Sequence, residues 1–209
     1  LSKIGSLNFT EFPQEILEIG NITVFLGGEE DFRIFNTNNI VEGQEIGKLN
    51  YDGNPLKMEI EGDLIFVADS LLGLEIINIS VPNDPIRIAV FNLGGEIEDL
   101  AIDGDHLCLL DASLGLIIVD ISDPFKPRIL GQFNNKEHNL WCITAGKERV
   151  YMGNGQDGLD IIDISNPRDP KLIYWYQPGG SIRDLQLVDS RIFVANYYKG
   201  LEILEMQSD

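Results

Sequence analysis

The sequence predicts an all-β protein, a five-bladed β-propeller with four antiparallel strands in each blade. Three observations carry this reading. An eight-residue phrase recurs as GLEIINIS (73–80), GLIIVDIS (115–122), GLDIIDIS (158–165) and GLEILEMQ (200–207), its opening glycines spaced 42, 43 and 42 residues apart. A second column (Asn8, Asn50, Asn92, Asn134 and Gln177) keeps the same register. Within each period, turn residues divide the chain into four short runs rich in Ile, Val, Leu and Phe. Four strands per repeat of about 42 residues describe a propeller blade, which buries its two apolar faces only against neighbouring blades.

Residues 96–134 show the period in full. EIEDLAID is the inner strand, and the turn at Gly104–Asp105 leads into HLCLLD. The turn ASLG precedes LIIVDIS, and DPFKP precedes the outer strand RILGQFN. LIIVDI is almost continuously apolar, as expected for a strand buried on both faces. The outer runs RIAVFN and EIGKLN are more mixed, as expected near a sheet edge. No capped amphipathic helix is legible. The repeats fall at about 9–50, 51–92, 93–134, 135–177 and 178–209, the last completed by 1–8, within a single domain spanning 1–209. Inner, second and third strands each occur five times, but the chain stops after the fifth third strand. KIGSLN (3–8) repeats as EIGKLN (45–50), so the N-terminal strand is expected to complete the last blade and close the ring.

The phrases LIIVDISDP, LDIIDISNP (159–167) and LEIINISVP (74–82) resemble the LVIVD-repeat family of β-propellers. The resemblance runs over all five periods and is weakest in the first, where FNTNNIVEGQ lacks the Ser–Asp–Pro turn. It implies the propeller architecture and proteins of bacteria and archaea, often at the surface or secreted, with little assigned activity. An extracellular or cell-surface location is the expectation that follows. The sequons Asn8-Phe9-Thr10, Asn21-Ile22-Thr23 and Asn78-Ile79-Ser80 are compatible with it.

Composition narrows the partners. Fifteen basic residues against 34 acidic ones give a formal charge of -19. That field repels phosphate backbones and anionic membranes and attracts cations and basic protein surfaces. No apolar run has the length of a membrane span. The chain opens at Leu1 rather than Met, as expected of a processed or trimmed form. Cys108 and Cys142 sit in apolar runs and read as small buried hydrophobes. No CxxC spacing or histidine–carboxylate set points to a metal, and no cofactor is expected. A monomer is expected.

Most of the repeated polar residues read as structure. Asp120, Ser122 and Asp123 suit backbone hydrogen bonds, and Pro124 and Pro127 suit the turn before the outer strand. The Gly column suits positive φ or close approach, and the Asn column suits an amide that completes a neighbouring turn. The functional candidates lie on the face formed by the loops into the inner strands and the turns between second and third strands. They are Tyr51, Lys57, Glu98, Asp99, His138, Arg183, Asp184, Tyr197 and Tyr198, with Phe12, Leu71, Leu72, Leu114 and Asp157 beside them. The inner-strand starts align at Ile16, Lys57, Asp99, Leu140 and Asp184. Asp99 and Asp184 also match a recurrent aspartate of the family repeat, which favours a structural role for both.

No nucleophile elbow, phosphate-binding glycine loop or Ser/His/Asp set is present. The expectation is a non-enzymatic interaction module, a rigid acidic propeller presenting one loop face to a protein or glycan. The alternative is a glycoside hydrolase using Asp99, Asp184 or Glu98, since that chemistry needs two carboxylates facing each other across the scissile bond. Burial of those carboxylates, or their engagement with backbone, speaks against it.

Overall fold

A computed structural model describes residues 13–27, 32–37, 44–50, 52–94, 96–134 and 142–206. The fold is all-β, five antiparallel meanders of a five-bladed β-propeller. The chain divides into two compact units, 1–94 and 95–209.

The first unit holds two blades. One is β1 (Pro13–Ile19), β2 (Ile22–Gly27), β3 (Phe32–Asn36) and β4 (Gln44–Leu49), paired in that order. The other is β5 (Pro55–Glu61), β6 (Leu64–Asp69), β7 (Gly73–Asn78) and β8 (Ile86–Phe91). They pack face to face through Val24, Leu26, Phe32 and Ile34 on one side and Met58, Ile65, Val67 and Ile77 on the other.

Three blades form the second unit. The third is β9 (Ile97–Asp103), β10 (His106–Asp111), β11 (Gly115–Asp120) and β12 (Arg128–Phe133). The fourth is β13 (Cys142–Gly146), β14 (Arg149–Gly153), β15 (Leu159–Asp163) and β16 (Lys171–Tyr176), with one 3-10 turn at Gly155–Asp157. The fifth contains β17 (Ile182–Val188), β18 (Arg191–Asn196) and β19 (Gly200–Glu205), three strands among the described residues. Leu116 and Ile118 of the third blade meet Ile162 and Ile164 of the fourth, and Leu159 and Ile161 meet Ile182 and Val194 of the fifth. The closing strand expected over 1–8 lies outside the described residues, as does the expected Phe12.

Burial follows the pattern of the repeat. All of Gly73–Ile77 and Gly115–Val119 is buried, as the near-continuous apolar run of each third strand requires. The outer strands β8, β12 and β16 are largely half-buried or exposed. Asp120 does what its turn requires: it accepts Ser122 N and Oγ and pairs with Arg128, so its pKa falls to about 2. Asn92 accepts Gly94 N, and Asn134 donates to Ser113 O, each finishing a neighbouring turn. Cys108 and Cys142 are free and buried, and burial pushes the Cys108 thiol up. No helix among the described residues is long and apolar enough to cross a membrane.

Glycine has two distinct jobs. Gly73, Gly115, Gly158 and Gly200 open the third strands at φ between 80° and 110°, where side chains are strained. Gly47 and Gly131, on outer strands, instead permit close approach: a Cβ would stand 2.0 Å and 2.2 Å from the carbonyl oxygens of Pro82 and Pro167 in the next blade. Those obstacles are backbone and cannot swing aside. Gly131→Ala is therefore expected to cost about 1–3 kcal/mol through forced separation of the two blades. Differential scanning calorimetry checks it, and an unchanged melting temperature would contradict the close approach.

Candidate functional site

A one-residue bulge opens four of the five inner strands. The pairing shifts between Pro13 and Glu15, between Pro55 and Lys57, opposite Leu110 and Asp111, and between Ile182 and Asp184. Just inside the bulge, Glu15 faces Leu26, Lys57 faces Ala68, Asp99 faces Leu110 and Asp184 faces Ala195, and in the fourth blade Cys142 faces Gly153 at the same register. The column is thus Glu15, Lys57, Asp99, Cys142 and Asp184, which corrects Ile16 in the first repeat and Leu140 in the fourth. Matching by residue type cannot register a bulge. The spacing of the glycine column, carried back to the first repeat, leads from Lys57 to Glu15.

The corrected column has a structural use. In the first unit Glu15 accepts Met58 N of the next blade and pairs with Lys57 at 3.2 Å. In the second unit Asp99, 7% exposed, accepts Leu100 N through Oδ1 and Ile143 N of the next blade through Oδ2. Met58 and Ile143 occupy the same place in their repeats. A carboxylate at this position therefore joins one inner strand to the backbone of the next. Asp103 repeats the device at the far end of β9, accepting Glu148 N at 2.8 Å. Asp184 is exposed and accepts Leu185 N, as Asp99 accepts Leu100 N.

Glu98 is the residue displaced by the third-blade bulge, half-buried between Ile97 and Asp99. Burial and the neighbouring carboxylates of Glu96 and Asp111 raise its pKa. Asp111 is fully buried, its Oδ1 accepting Ser113 N and Leu114 N to cap the turn after β10. Asp69 makes the same two bonds to Leu71 N and Leu72 N after β6.

The fifth blade gathers the most exposed candidates. Tyr197 and Tyr198, each 68% exposed, occupy the turn between β18 and β19 and meet edge to face with centroids 4.9 Å apart. Asn196 shapes this turn by accepting Tyr198 N. Arg183, the residue at the β17 bulge, stands 5.3 Å from the Tyr197 ring centroid, a cation–π distance. The structure thus brings Arg183, Tyr197 and Tyr198 together and gives Lys57 a partner within its own unit. Tyr51 and His138 lie outside the described residues. Among the described residues no group of three or more His, Cys, Asp or Glu side chains is arranged to hold a metal.

Repeated four-stranded blades tied strand to strand define a β-propeller built from one short motif. The sequence model of the LVIVD repeat matches residues 52–92, 94–135 and 149–177, more than half of the chain, and the protein belongs to that family. No curated protein matches. Among solved structures, a computationally designed protein, Ika8, is similar at a TM-score of 0.73 and 11% identity, over 91% of this chain and 57% of that one. BamB from Moraxella catarrhalis is similar at a TM-score of 0.71 and 11% identity, over 93% and 57%. The chain spans little more than half the length of each, and identities this low speak for the fold alone.

Two outcomes follow from the column. Asp99→Asn replaces one acceptor oxygen with a donor and leaves a buried N–H unsatisfied, at a cost of about 1–3 kcal/mol. Asp184→Asn, on an exposed residue, should change stability far less. Urea denaturation of both variants checks this, and equal losses would contradict the tie between β9 and β13. Glu98 supplies a pH test. Its raised pKa means the folded state resists the charged form, so stability falls as pH rises through that value. Glu98→Gln should match wild type near pH 4 and melt higher at pH 7. Melting curves across that range check it, and a variant less stable at pH 7 would contradict the sign.

Proposed function

We propose that this protein is a non-enzymatic interaction module whose binding surface is the exposed cluster of Arg183, Tyr197 and Tyr198 on the fifth blade. One observation carries the reading: two tyrosines on a single short turn stand largely in solvent, shaped by Asn196 and faced by a guanidinium. Tyr and Arg are enriched among residues that carry binding energy, since each presents a large planar surface and a polar edge at small entropic cost. The partner is a protein, with a glycan as the second ligand class such a surface suits. The formal charge of -19 favours partners with basic surroundings. Membership of a repeat family and similarity to BamB-like propellers support a scaffold that presents loops. A cell-surface location belongs to this proposal and rests on the resemblance of the repeats.

Asp99, the central acid of the hydrolase alternative, spends both oxygens on backbone N–H groups, which favours its use as a tie between blades. The test is affinity capture with wild type, Tyr197→Ala/Tyr198→Ala, and Val90→Ala as an exposed control on β8. A partner retained by wild type and control should be reduced at least tenfold by the double variant. Equal capture by all three would overturn the assignment of the surface.

A further inference from the structure

The repeat shows which side chains packing requires, and the fourth blade departs from it at two places. On the second strands, Val24, Phe66, Cys108 and Phe193 stand opposite the recurrent third-strand isoleucine, but the fourth blade puts Tyr151 there. On the outer strands, Gly47, Ala89 and Gly131 stand opposite that isoleucine, but the fourth blade puts Tyr174 there. Small or apolar side chains serve both places elsewhere, so packing explains neither tyrosine hydroxyl.

Both tyrosines line one groove of about 850 Å³ inside the second unit, with Lys147, Arg149, Leu187 and Met206. Arg149 and Tyr151, two positions apart on β14, project from one face of the sheet. A smaller pocket of about 200 Å³ shares Tyr174 and Met206 with the groove and adds Leu159, Ile161, Ile192 and Leu204. The combined lining is therefore apolar on one side and rich in hydrogen-bond donors on the other.

Those donors are unspent. Tyr151 is 4% exposed, and its hydroxyl makes no hydrogen bond among the described residues. Arg149 is half-buried and makes no hydrogen bond or close ion pair among them. Asp163, opposite Arg149 on β15, is held below the usual carboxylate range chiefly by Ser165 and less by the Arg149 charge. Two acids share the groove. Glu205 is occupied by Arg191 at 3.4 Å and by Ser190 Oγ, and the backbone oxygen of Asp189 accepts Lys147 Nζ at 2.8 Å. A guanidinium with free N–H groups takes a carboxylate through two parallel hydrogen bonds. The apolar lining suits a hydrocarbon body. The formal charge of -19 disfavours a ligand with several negative charges, whereas a single charge close to Arg149 is served by the local field.

We propose that this groove binds a small amphipathic monocarboxylate, its carboxylate held by Arg149 and the Tyr151 hydroxyl and its hydrocarbon body lying against Tyr174, Leu187 and Met206. The inference is independent of the surface formed by Tyr197 and Tyr198.

The test is an NMR titration of the whole chain with octanoate and with its uncharged counterpart octanamide, checked by calorimetry. Octanoate should bind saturably, with the largest shift changes at Tyr151, Leu187 and Met206, and octanamide should bind at least about tenfold more weakly. Arg149→Gln should weaken octanoate by at least about tenfold. Tyr151→Phe keeps the ring, as Phe66 and Phe193 do at the same place, and should weaken octanoate by about threefold. If Arg149→Gln melts below wild type, Tyr151→Phe decides. Tyr197→Ala/Tyr198→Ala should bind octanoate as wild type does. The absence of saturable octanoate binding, shift changes centred outside the groove, or equal affinity for octanamide would each overturn the proposal. So would undiminished octanoate affinity in a folded Arg149→Gln or in Tyr151→Phe. Loss of octanoate binding in the double tyrosine variant would move the ligand to that turn and overturn the groove equally.

Discussion

A four-stranded antiparallel sheet with apolar side chains on both faces cannot bury itself; it requires another sheet against each face. That constraint underlies the whole architecture. Gly115–Val119 has no polar face to offer water, and burying each Leu or Ile is worth about 1.5–3 kcal/mol. Blade must follow blade, and the repeat period is the length of chain needed to build one sheet and step to the next. The packing of Leu116 and Ile118 with Ile143, Val150 and Met152, and of Leu159 and Ile161 with Leu185, Ile192 and Val194, shows the same contact twice in succession.

Apolar packing alone would let neighbouring sheets slide. Directional bonds pin the offset between them. Glu15 reaches Met58 N in the first unit, and Asp99 reaches Ile143 N in the second, from matching places in the repeat. At the outer rim the carbonyl oxygens of Pro82 and Pro167 press on Gly47 and Gly131, where a side chain would force the sheets apart. A carboxylate near the inner end and a glycine near the outer end hold adjacent blades at one spacing. Glu15 and Asp99 are thus explained by packing, and the rigid frame leaves its exposed turns free to differ. Leu71, Ser113, Asp157 and Tyr197 occupy turns of the same kind with unlike surfaces.

The fifth blade departs from the others in both respects. Its third strand is the most exposed of the set, and its turn carries the two exposed tyrosines. The two features sit at different strand boundaries: the groove beside β19 follows the outer edge, whereas Tyr197 and Tyr198 precede β19. A change at one can therefore be read without disturbing the other.

Period, strand count per repeat, turn chemistry and the membership of LVIVD repeats were all legible in the sequence by itself. They depend on local rules: alternation of apolar runs with Gly, Pro, Asp and Asn, and a glycine where φ turns positive. Asp120, Asn92 and Asn134 do in space what their neighbours in sequence call for. The tertiary structure decided which residues share a column. A bulge displaces one residue in four of the inner strands, so Glu15 rather than Ile16 stands beside Lys57, a relation set by hydrogen-bond register across strands. It also decided that Asp99 serves the backbone of the next blade while Arg183 lies over Tyr197. Those are meetings between residues 14 to 44 positions apart, and only the packing of one folded strand against another brings them within bonding distance.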